Sequence, residues 1–324
     1  MAGNKSEVLL IGPSRPVIVK GLANFTVHNL TAAANRAALL NTVAAVRAMA
    51  VSAPVEPIDD ALLAHLPNLQ IIASFGVGYD HIDANAAARR GIVVTNTPDV
   101  LTEEVADTAI GLLLCAVREL PQAERYLRAG KWPAGNYPLS RATLRNRTVG
   151  LVGMGRIGVA IARRLEAFGA PIVYHTRRAR PELAYRHYPK LLDMARNVDT
   201  LIVIVPGGAA TKNMIDAQVL EALGPNGILI NVARGSVIDE PALISALRER
   251  KIMAAGLDVF VNEPQVPEEL LAMENVVLLP HLGSASVFTR EKMDQLLVDN
   301  ILAWASGKPP LTPVPEAPWR SWEP

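Results

Sequence analysis

The chain has 324 residues, half of them hydrophobic, and 32 Lys and Arg against 31 Asp and Glu leave a formal net charge of +1. That is apolar material for a large core and length for two domains, while the near-neutral, mixed charge gives no electrostatic ground for a nucleic-acid partner. The single cysteine, Cys115, excludes an internal disulfide; it lies in an apolar run where a buried, inert thiol is expected, and no Cys/His cluster points to a metal.

The opening, Met1 to Glu7, runs straight into a short strand and lacks the apolar core and cleavage site of a leader. Apolar runs such as 201–205 are too short to span a bilayer, so a soluble cytoplasmic protein is expected. Short β-branched runs predict strands at 8–11, 70–74, 148–152, 171–175, 200–205, 227–232, 255–259 and 276–279. Helical spacing of apolar residues fills most of the intervals, as at 157–168 and 240–250. Continuous apolar strands alternating with helices imply parallel sheets covered on both faces. The fold class is therefore α/β, with two doubly wound parallel-sheet domains. Residues 101–286 are assigned to a dinucleotide-binding domain, and residues 1–100 with 287–324 to a substrate-binding domain. Helices beginning near Thr102 and Phe288 are expected to cross between them and frame a cleft. The loop Val51-Ser-Ala-Pro54 is expected to help size the substrate pocket, and the proline-rich end, 309–324, to form an extended surface arm.

Within the middle domain, Thr148-Val-Gly-Leu-Val precedes Gly153-Met-Gly-Arg-Ile-Gly158 and a helix follows. Strand, Gly-x-Gly-x-x-Gly and helix in that order are a dinucleotide signature. The glycines give the tight turn, the backbone approach to pyrophosphate and the close helix–strand contact. Gly153, Met154, Gly155, Arg156, Ile157 and Gly158 are the expected phosphate cradle, aided by the positive end of the helix. The next strand ends in His175-Thr-Arg-Arg-Ala-Arg180. An acid usually stands here to bond the ribose 2′-hydroxyl of NAD. A hydroxyl and guanidinium groups suit a 2′-phosphate instead. Thr176, Arg177 and Arg178 are therefore expected to select NADP(H) over NAD(H), each charge-assisted bond contributing about 1.5–3 kcal/mol.

Three polar residues follow successive strand ends: Arg234 in Asn231-Val-Ala-Arg-Gly235, Glu263 in Leu257-Asp-Val-Phe-Val-Asn-Glu-Pro264, and His281 in Pro280-His-Leu-Gly283. Singly they read as a surface arginine, a loop glutamate and a strand-end histidine. Together, at the carboxyl ends of strands downstream of a dinucleotide turn, they supply what keto-acid reduction requires. The guanidinium binds a carboxylate and polarises a carbonyl, the imidazole donates a proton, and the carboxylate orients the ring and favours its protonated form.

These motifs resemble the D-isomer-specific 2-hydroxyacid dehydrogenases over nearly the whole chain. The resemblance implies a catalytic set of Arg234, Glu263 and His281. It also implies a substrate loop at Phe75-Gly-Val-Gly-Tyr79, where the amides of Val77 and Gly78 meet the substrate carboxylate beside Arg234. Val205, Pro206, Val232, Ala233, Asp258, His281 and Gly283 would line the cofactor, with Asp258 at the nicotinamide amide. Trp132 matches a tryptophan that, in related reductases, reaches the neighbouring subunit's site. A homodimer is implied, with the apolar helix at 110–117 as a candidate interface. The missing NAD-type acid favours NADP-using glyoxylate/hydroxypyruvate reductases. No long extension follows Pro324, unlike feedback-regulated phosphoglycerate enzymes, and Pro280 stands where formate dehydrogenases carry glutamine. Alternatives left open are a bulkier or phosphorylated 2-keto acid, and a non-catalytic, dinucleotide-sensing corepressor-like protein.

Overall fold

In the computed structural model, which describes residues 6–319, the chain divides into two compact units. One is Met1–Leu101 with Ser286–Pro324, the other Thr102–Ala285. The first unit runs β1 (Glu7–Ile11), α1 (Pro16–Gly21), β2 (Thr26–Asn29), α2 (Arg36–Leu40), β3 (Ala48–Val51), α3 (Asp60–Ala64), β4 (Ile71–Ser74), α4 (Ala84–Arg89) and β5 (Val93–Thr95). Its sheet has the order β2-β1-β3-β4-β5, and every ladder is parallel. The β-branched pattern marks β1 and β4 only. The segment Ala-Met-Ala-Val of β3 has weak strand propensity, yet all four residues are buried at the centre of the sheet; burial, not intrinsic preference, decides it.

The last helix of the chain belongs to this unit and packs on α1, β3 and β4; it is α12 in chain order and spans Val287–Ala305. Its buried Met293, Leu297, Val298 and Ile301 form one stripe. Gly21 lets that stripe close on α1, for a Cβ there would lie 2.4 Å from Val298 Cγ1.

The proline-rich end is not a free arm over its described residues. Pro313 bridges Thr95 antiparallel, the Val314 N–H donates to the Val94 carbonyl at 2.8 Å, and the Val94 N–H donates to the Ala317 carbonyl at 3.2 Å. Val314 and Ala317 are 2% and 1% exposed. Prolines hold this segment extended while the intervening residues supply the edge contacts and the inward side chains. Residues 320–324 of the expected arm, and 1–5 of the opening, lie outside the described residues.

The second unit runs α5 (Thr102–Arg118), α6 (Leu120–Arg128), β6 (Val149–Val152), α7 (Arg156–Ala167), β7 (Ile172–His175), β8 (Arg186–His187), α8 (Leu191–Ala195), β9 (Thr200–Val203), α9 (Ala217–Leu223), β10 (Ile228–Asn231), α10 (Glu240–Arg248), β11 (Ala254–Leu257), α11 (Glu268–Ala272) and β12 (Val276–Leu278). The strand order is β12-β11-β10-β9-β6-β7-β8, all parallel. The order reverses between β6 and β9, the kind of switch point at which open α/β sheets take ligands. β6, β9, β10 and β11 are buried along their length, as uninterrupted apolar runs demand.

In helix α5, Ile110, Leu112, Leu113, Ala116 and Val117 are buried within the unit, where the helix packs on α7, β10 and β11. Those side chains complete the core, while Gly111 is exposed and Leu114 and Cys115 are half-buried on the outer side. Cys115 is half-buried, and burial pushes its thiol up from the ordinary value. Among the described residues no helix is long and apolar enough to cross a membrane, and no group of three or more His, Cys, Asp or Glu is arranged to hold a metal ion.

Candidate active site

The glycine turn sits at the β6/β9 switch point, and its three glycines are needed for different reasons. Gly153 has φ +105°, and a Cβ there would lie 2.7 Å from the Ile204 carbonyl oxygen. A Cβ on Gly158 would lie 2.6 Å from the Gly153 oxygen. These two are glycine because backbone passes backbone. Gly155 is different: a Cβ there meets nothing within 4 Å, and its φ of −74° suits any residue. The fold does not require glycine at 155, so the open space is explained by something that comes close from outside. Gly155 is the N-cap of α7, whose first turn has no side-chain cap. The positive end of α7 and the first-turn amide of Ile157 therefore face the turn, where an anion is favoured. This arrangement fits the pyrophosphate of a dinucleotide. Val205 is half-buried and Pro206 exposed at the end of β9, beside the turn, whereas Met154 packs its side chain inward at 2% exposure.

At the end of β7 the residues expected to choose the cofactor form a braced turn. The Thr176 hydroxyl donates to the Arg178 carbonyl at 2.6 Å. The Arg180 N–H donates to the Tyr174 hydroxyl at 2.8 Å, and the Arg180 guanidinium bonds the Met154 carbonyl, tying this turn to the glycine turn. His187 on β8 donates from Nε2 to the Thr176 carbonyl at 2.9 Å. The short strand β8 was not legible in the sequence, and Arg180 and His187 are supports that pattern reading missed. Arg177 and Arg178 project from this frame and are exposed.

Arg234, Glu263 and His281 all follow strand ends of this unit, after β10, β11 and β12. His281 Nδ1 meets Glu263 Oε2 at 2.7 Å, and Glu263 Oε1 accepts the Phe260 N–H at 3.0 Å. A carboxylate only accepts, so Nδ1 carries the proton and Nε2 is turned to the outside. Burial alone would push the Glu263 carboxyl up. The His281 and Phe260 hydrogen bonds and the charges of His281 and Arg234 outweigh it, and the group lies below the ordinary carboxylate range. The loop carrying Arg234 touches that of Glu263 through Gly235, where a Cβ would lie 1.9 Å from the Phe260 carbonyl carbon. The buried Asn231 shapes the same loop, accepting the Ala233 N–H and donating to the Arg234 carbonyl, each at 3.0 Å. Arg234 bonds the Ala233 carbonyl through Nη1 at 2.7 Å, and Val232 and Ala233 are buried beneath it.

Asp258, 2% exposed, holds the His281 loop from below. Its two oxygens accept the Leu282 and Gly283 N–H groups at 2.7 and 2.8 Å, and its carbonyl accepts that of His281 at 2.9 Å. Burial pushes the Asp258 carboxyl up, and these two side-chain bonds oppose the rise. Gly283 lies so close that a Cβ would stand 2.9 Å from Asp258 Oδ2. His281 itself adopts φ +49°, a left-handed conformation unusual for a side chain of its size. Trp132 lies on the turn Trp132–Ala134, 60% exposed, its Nε1 donating to Asn136 Oδ1 at 3.3 Å.

In the first unit the candidate substrate loop follows β4. Phe75 is buried and stacks under the Arg15 guanidinium at 3.8 Å, with Arg290 at 5.2 Å from the ring centroid. Arg15 pairs with the buried Asp294 of α12 at 2.9 Å and also bonds the Ser52 carbonyl, joining three loops. Ser52 is fully buried, its hydroxyl bonding the Ile11 and Pro13 carbonyls. Val77 and Gly78 are partly exposed.

Comparison with known proteins gives this geometry a family. Residues 110–283 match the family model described as "D-isomer specific 2-hydroxyacid dehydrogenase, NAD binding domain". A crystal structure of the NADPH-dependent glyoxylate/hydroxypyruvate reductase of Sinorhizobium meliloti, in complex with NADP and malonate, superposes with a TM-score of 0.94 at 54% identity, over 98% of this chain and 99% of that one. Glyoxylate/hydroxypyruvate reductase A of Arabidopsis thaliana is 51% identical over 79% of this chain and 82% of its own length. The 2-ketogluconate reductase of Gluconobacter oxydans is 42% identical over 96% and 99%. The chain belongs to the D-isomer-specific 2-hydroxyacid dehydrogenase family. It is an oxidoreductase of that family, with a nicotinamide dinucleotide as cofactor.

Proposed function

We propose that the protein reduces small 2-keto acids, glyoxylate and hydroxypyruvate, to the corresponding D-2-hydroxy acids with NADPH. The observation that carries the reading is the His281–Glu263 pair at 2.7 Å with Arg234 on the adjoining loop. The bound nicotinamide supplies the hydride. Arg234 binds the substrate carboxylate and draws charge from the carbonyl. The Val77 and Gly78 amides take the carboxylate as well. His281 gives the Nε2 proton to the carbonyl oxygen as charge develops there, and Glu263 holds the ring in place through Nδ1. In the reverse direction the same nitrogen accepts the proton.

NADPH is preferred because the end of β7 carries no acid and exposes Arg177 and Arg178. In the frame observed, the Thr176 hydroxyl is already donating to Arg178, which makes it a support of the turn and leaves the arginines as the principal donors. We read the enzyme as a cytoplasmic homodimer. The exposed Leu120, Leu127, Trp132 and Leu139 support a dimer face on the second unit, with Trp132 available to a partner.

The deciding experiment measures oxidation of NADPH and of NADH with glyoxylate, hydroxypyruvate, pyruvate, phenylpyruvate and 2-ketogluconate. The reading expects the first two acids and NADPH to give the highest kcat/KM. Equal use of NADH would remove the role of Arg177 and Arg178. A clear preference for 2-ketogluconate, the longer acid reduced by the Gluconobacter relative according to its name, would replace the substrate assignment. No turnover with any acid would favour a dinucleotide sensor.

A further inference from the structure

The substrate loop owes its shape to groups that the chemistry does not use. A trans peptide is planar, with its C=O and N–H pointing in opposite directions. Fixing one carbonyl therefore aims the N–H of the following residue. The Gly76 carbonyl accepts the Thr97 N–H at 2.9 Å, so the Val77 N–H points away from residue 97. The Val77 carbonyl accepts Asn96 Nδ2 at 2.8 Å, so the Gly78 N–H points away from residue 96. Neighbouring residues thus hold neighbouring carbonyls, and the two amides face the same way. Neither of them donates to any group among the described residues. Gly76 makes the turn possible with φ +110°, its own N–H taken by Thr97 Oγ1 at 2.8 Å.

Asn96 is itself held from the far end of the chain. Thr312 Oγ1 donates to the Asn96 carbonyl at 2.6 Å, and the Asn96 N–H donates to the Thr312 carbonyl at 3.3 Å. Thr312 is anchored by Asn300 of α12, which is fully buried. Asn300 Nδ2 donates to Thr312 Oγ1 at 3.0 Å and to the Leu296 carbonyl at 2.8 Å, and Oδ1 accepts the Leu311 and Thr312 N–H groups at 2.9 and 3.1 Å. A buried amide with its donors and acceptor all engaged is a rigid anchor, because any displacement strands a polar group without water.

We infer that Asn96 is a positioning residue for substrate binding: its side chain aims the Gly78 amide, and Thr312 holds Asn96 in place. The inference rests on the reading that the Val77 and Gly78 amides receive the substrate carboxylate. Without Nδ2 the Val77–Gly78 peptide is free to rotate, and a hydrogen bond weakens steeply with misalignment.

The test uses Asn96→Leu, which keeps the shape and removes the donor, with Thr312→Val, which removes the hydroxyl, and Thr312→Ser, which retains it. Four quantities are read: KM for glyoxylate and hydroxypyruvate, kcat, the Kd for NADPH from fluorescence titration without substrate, and Tm. Asn96→Leu should raise the keto-acid KM about tenfold with kcat within about threefold, the range of one lost hydrogen bond. Thr312→Val should raise it about threefold, and Thr312→Ser should match the wild type. NADPH Kd should be unchanged throughout, since the candidate cofactor groups lie in the other unit. An unchanged KM in Asn96→Leu overturns the inference. So does a Thr312→Ser variant as impaired as Thr312→Val, or a KM rise matched by an equal loss of NADPH affinity. Should Asn96→Leu not fold, the Thr312 pair decides alone. A wild type inactive on every 2-keto acid refutes the functional reading; an active wild type with an unaffected Asn96→Leu variant refutes this inference only.

Discussion

Replacing Gly155 by alanine should separate the cofactor's needs from those of the fold. An added methyl there meets no atom within 4 Å, and φ of −74° is ordinary for alanine. Two small terms remain: alanine is a poorer N-cap than glycine, and it lowers the entropy of the unfolded chain. They oppose each other, so the net change should stay below about 1 kcal/mol, a Tm shift of about 2–4 °C at most. The same substitution at Gly153 meets the Ile204 carbonyl oxygen at 2.7 Å with φ +105°. Backbone strain of about 1–3 kcal/mol adds to that clash, so a fall of roughly 10 °C is expected if the variant folds at all. Affinity should show the opposite ranking of cause. Gly155→Ala puts a methyl where the pyrophosphate approaches the backbone, and NADPH binding should weaken at least tenfold, about 1.4 kcal/mol. Thermal unfolding without ligand and fluorescence titration with NADPH measure the two effects independently. A Gly155→Ala protein that binds NADPH as tightly as wild type would refute the reasoning, as would a Gly153→Ala protein of undiminished Tm.

His281→Ala should lower kcat by at least about a hundredfold while leaving the NADPH Kd within about threefold, checked by steady-state kinetics and titration. Glu263 has a depressed carboxyl in the folded state, so its contribution to stability is present above the ordinary glutamate value of 4.5 and is lost as pH falls through the lower folded value. Glu263→Gln should therefore flatten the acid limb of a denaturation profile below pH 4.5 and reduce kcat at neutral pH; an unaltered acid limb would contradict the assignment. Arg177→Ser should weaken NADPH by roughly ten- to a hundredfold and NADH little, as read from the two Kd values. Val314→Asp should destabilise the first unit by several kcal/mol, because an unpaired charge would replace a side chain that is 2% exposed; a Tm within a degree of wild type would return the C-terminal segment to the status of a loose arm.

The second unit was largely readable because its strands are continuous apolar runs, its glycines are spaced by a function, and Arg234, Glu263 and His281 each follow a strand end. The strands of the first unit were harder. Ala48, Met49 and Ala50 form a central strand only because neighbours on both sides bury them, and no local pattern carries that information. The edge strands β2, β5 and β8, of four, three and two residues, are too short for a period to show. At 110–117 apolar side chains advertise burial without saying against what, and most of them turn into the core of their own unit. The prolines after residue 309 suggested an arm because their alternation with Val314 and Ala317 was read as low complexity. Asn96, Asn231 and Asn300 left no signal, since a polar residue in a sequence does not reveal which carbonyl it will hold.

The braced turn after β7 has one more implication. Tyr174, His187, the Met154 carbonyl and the Thr176 bond to the Arg178 carbonyl keep its course, whereas the side chains of Arg177 and Arg178 are exposed and take no part in it. If those two side chains choose the coenzyme as proposed, substitution there should leave the architecture in place, and a lineage could drift between the two nicotinamide coenzymes through single folded steps. On the proposed reading of Arg177 and Arg178, coenzyme choice is in that sense a replaceable fitting, open to selection by whichever reductant pool a cell happens to keep full.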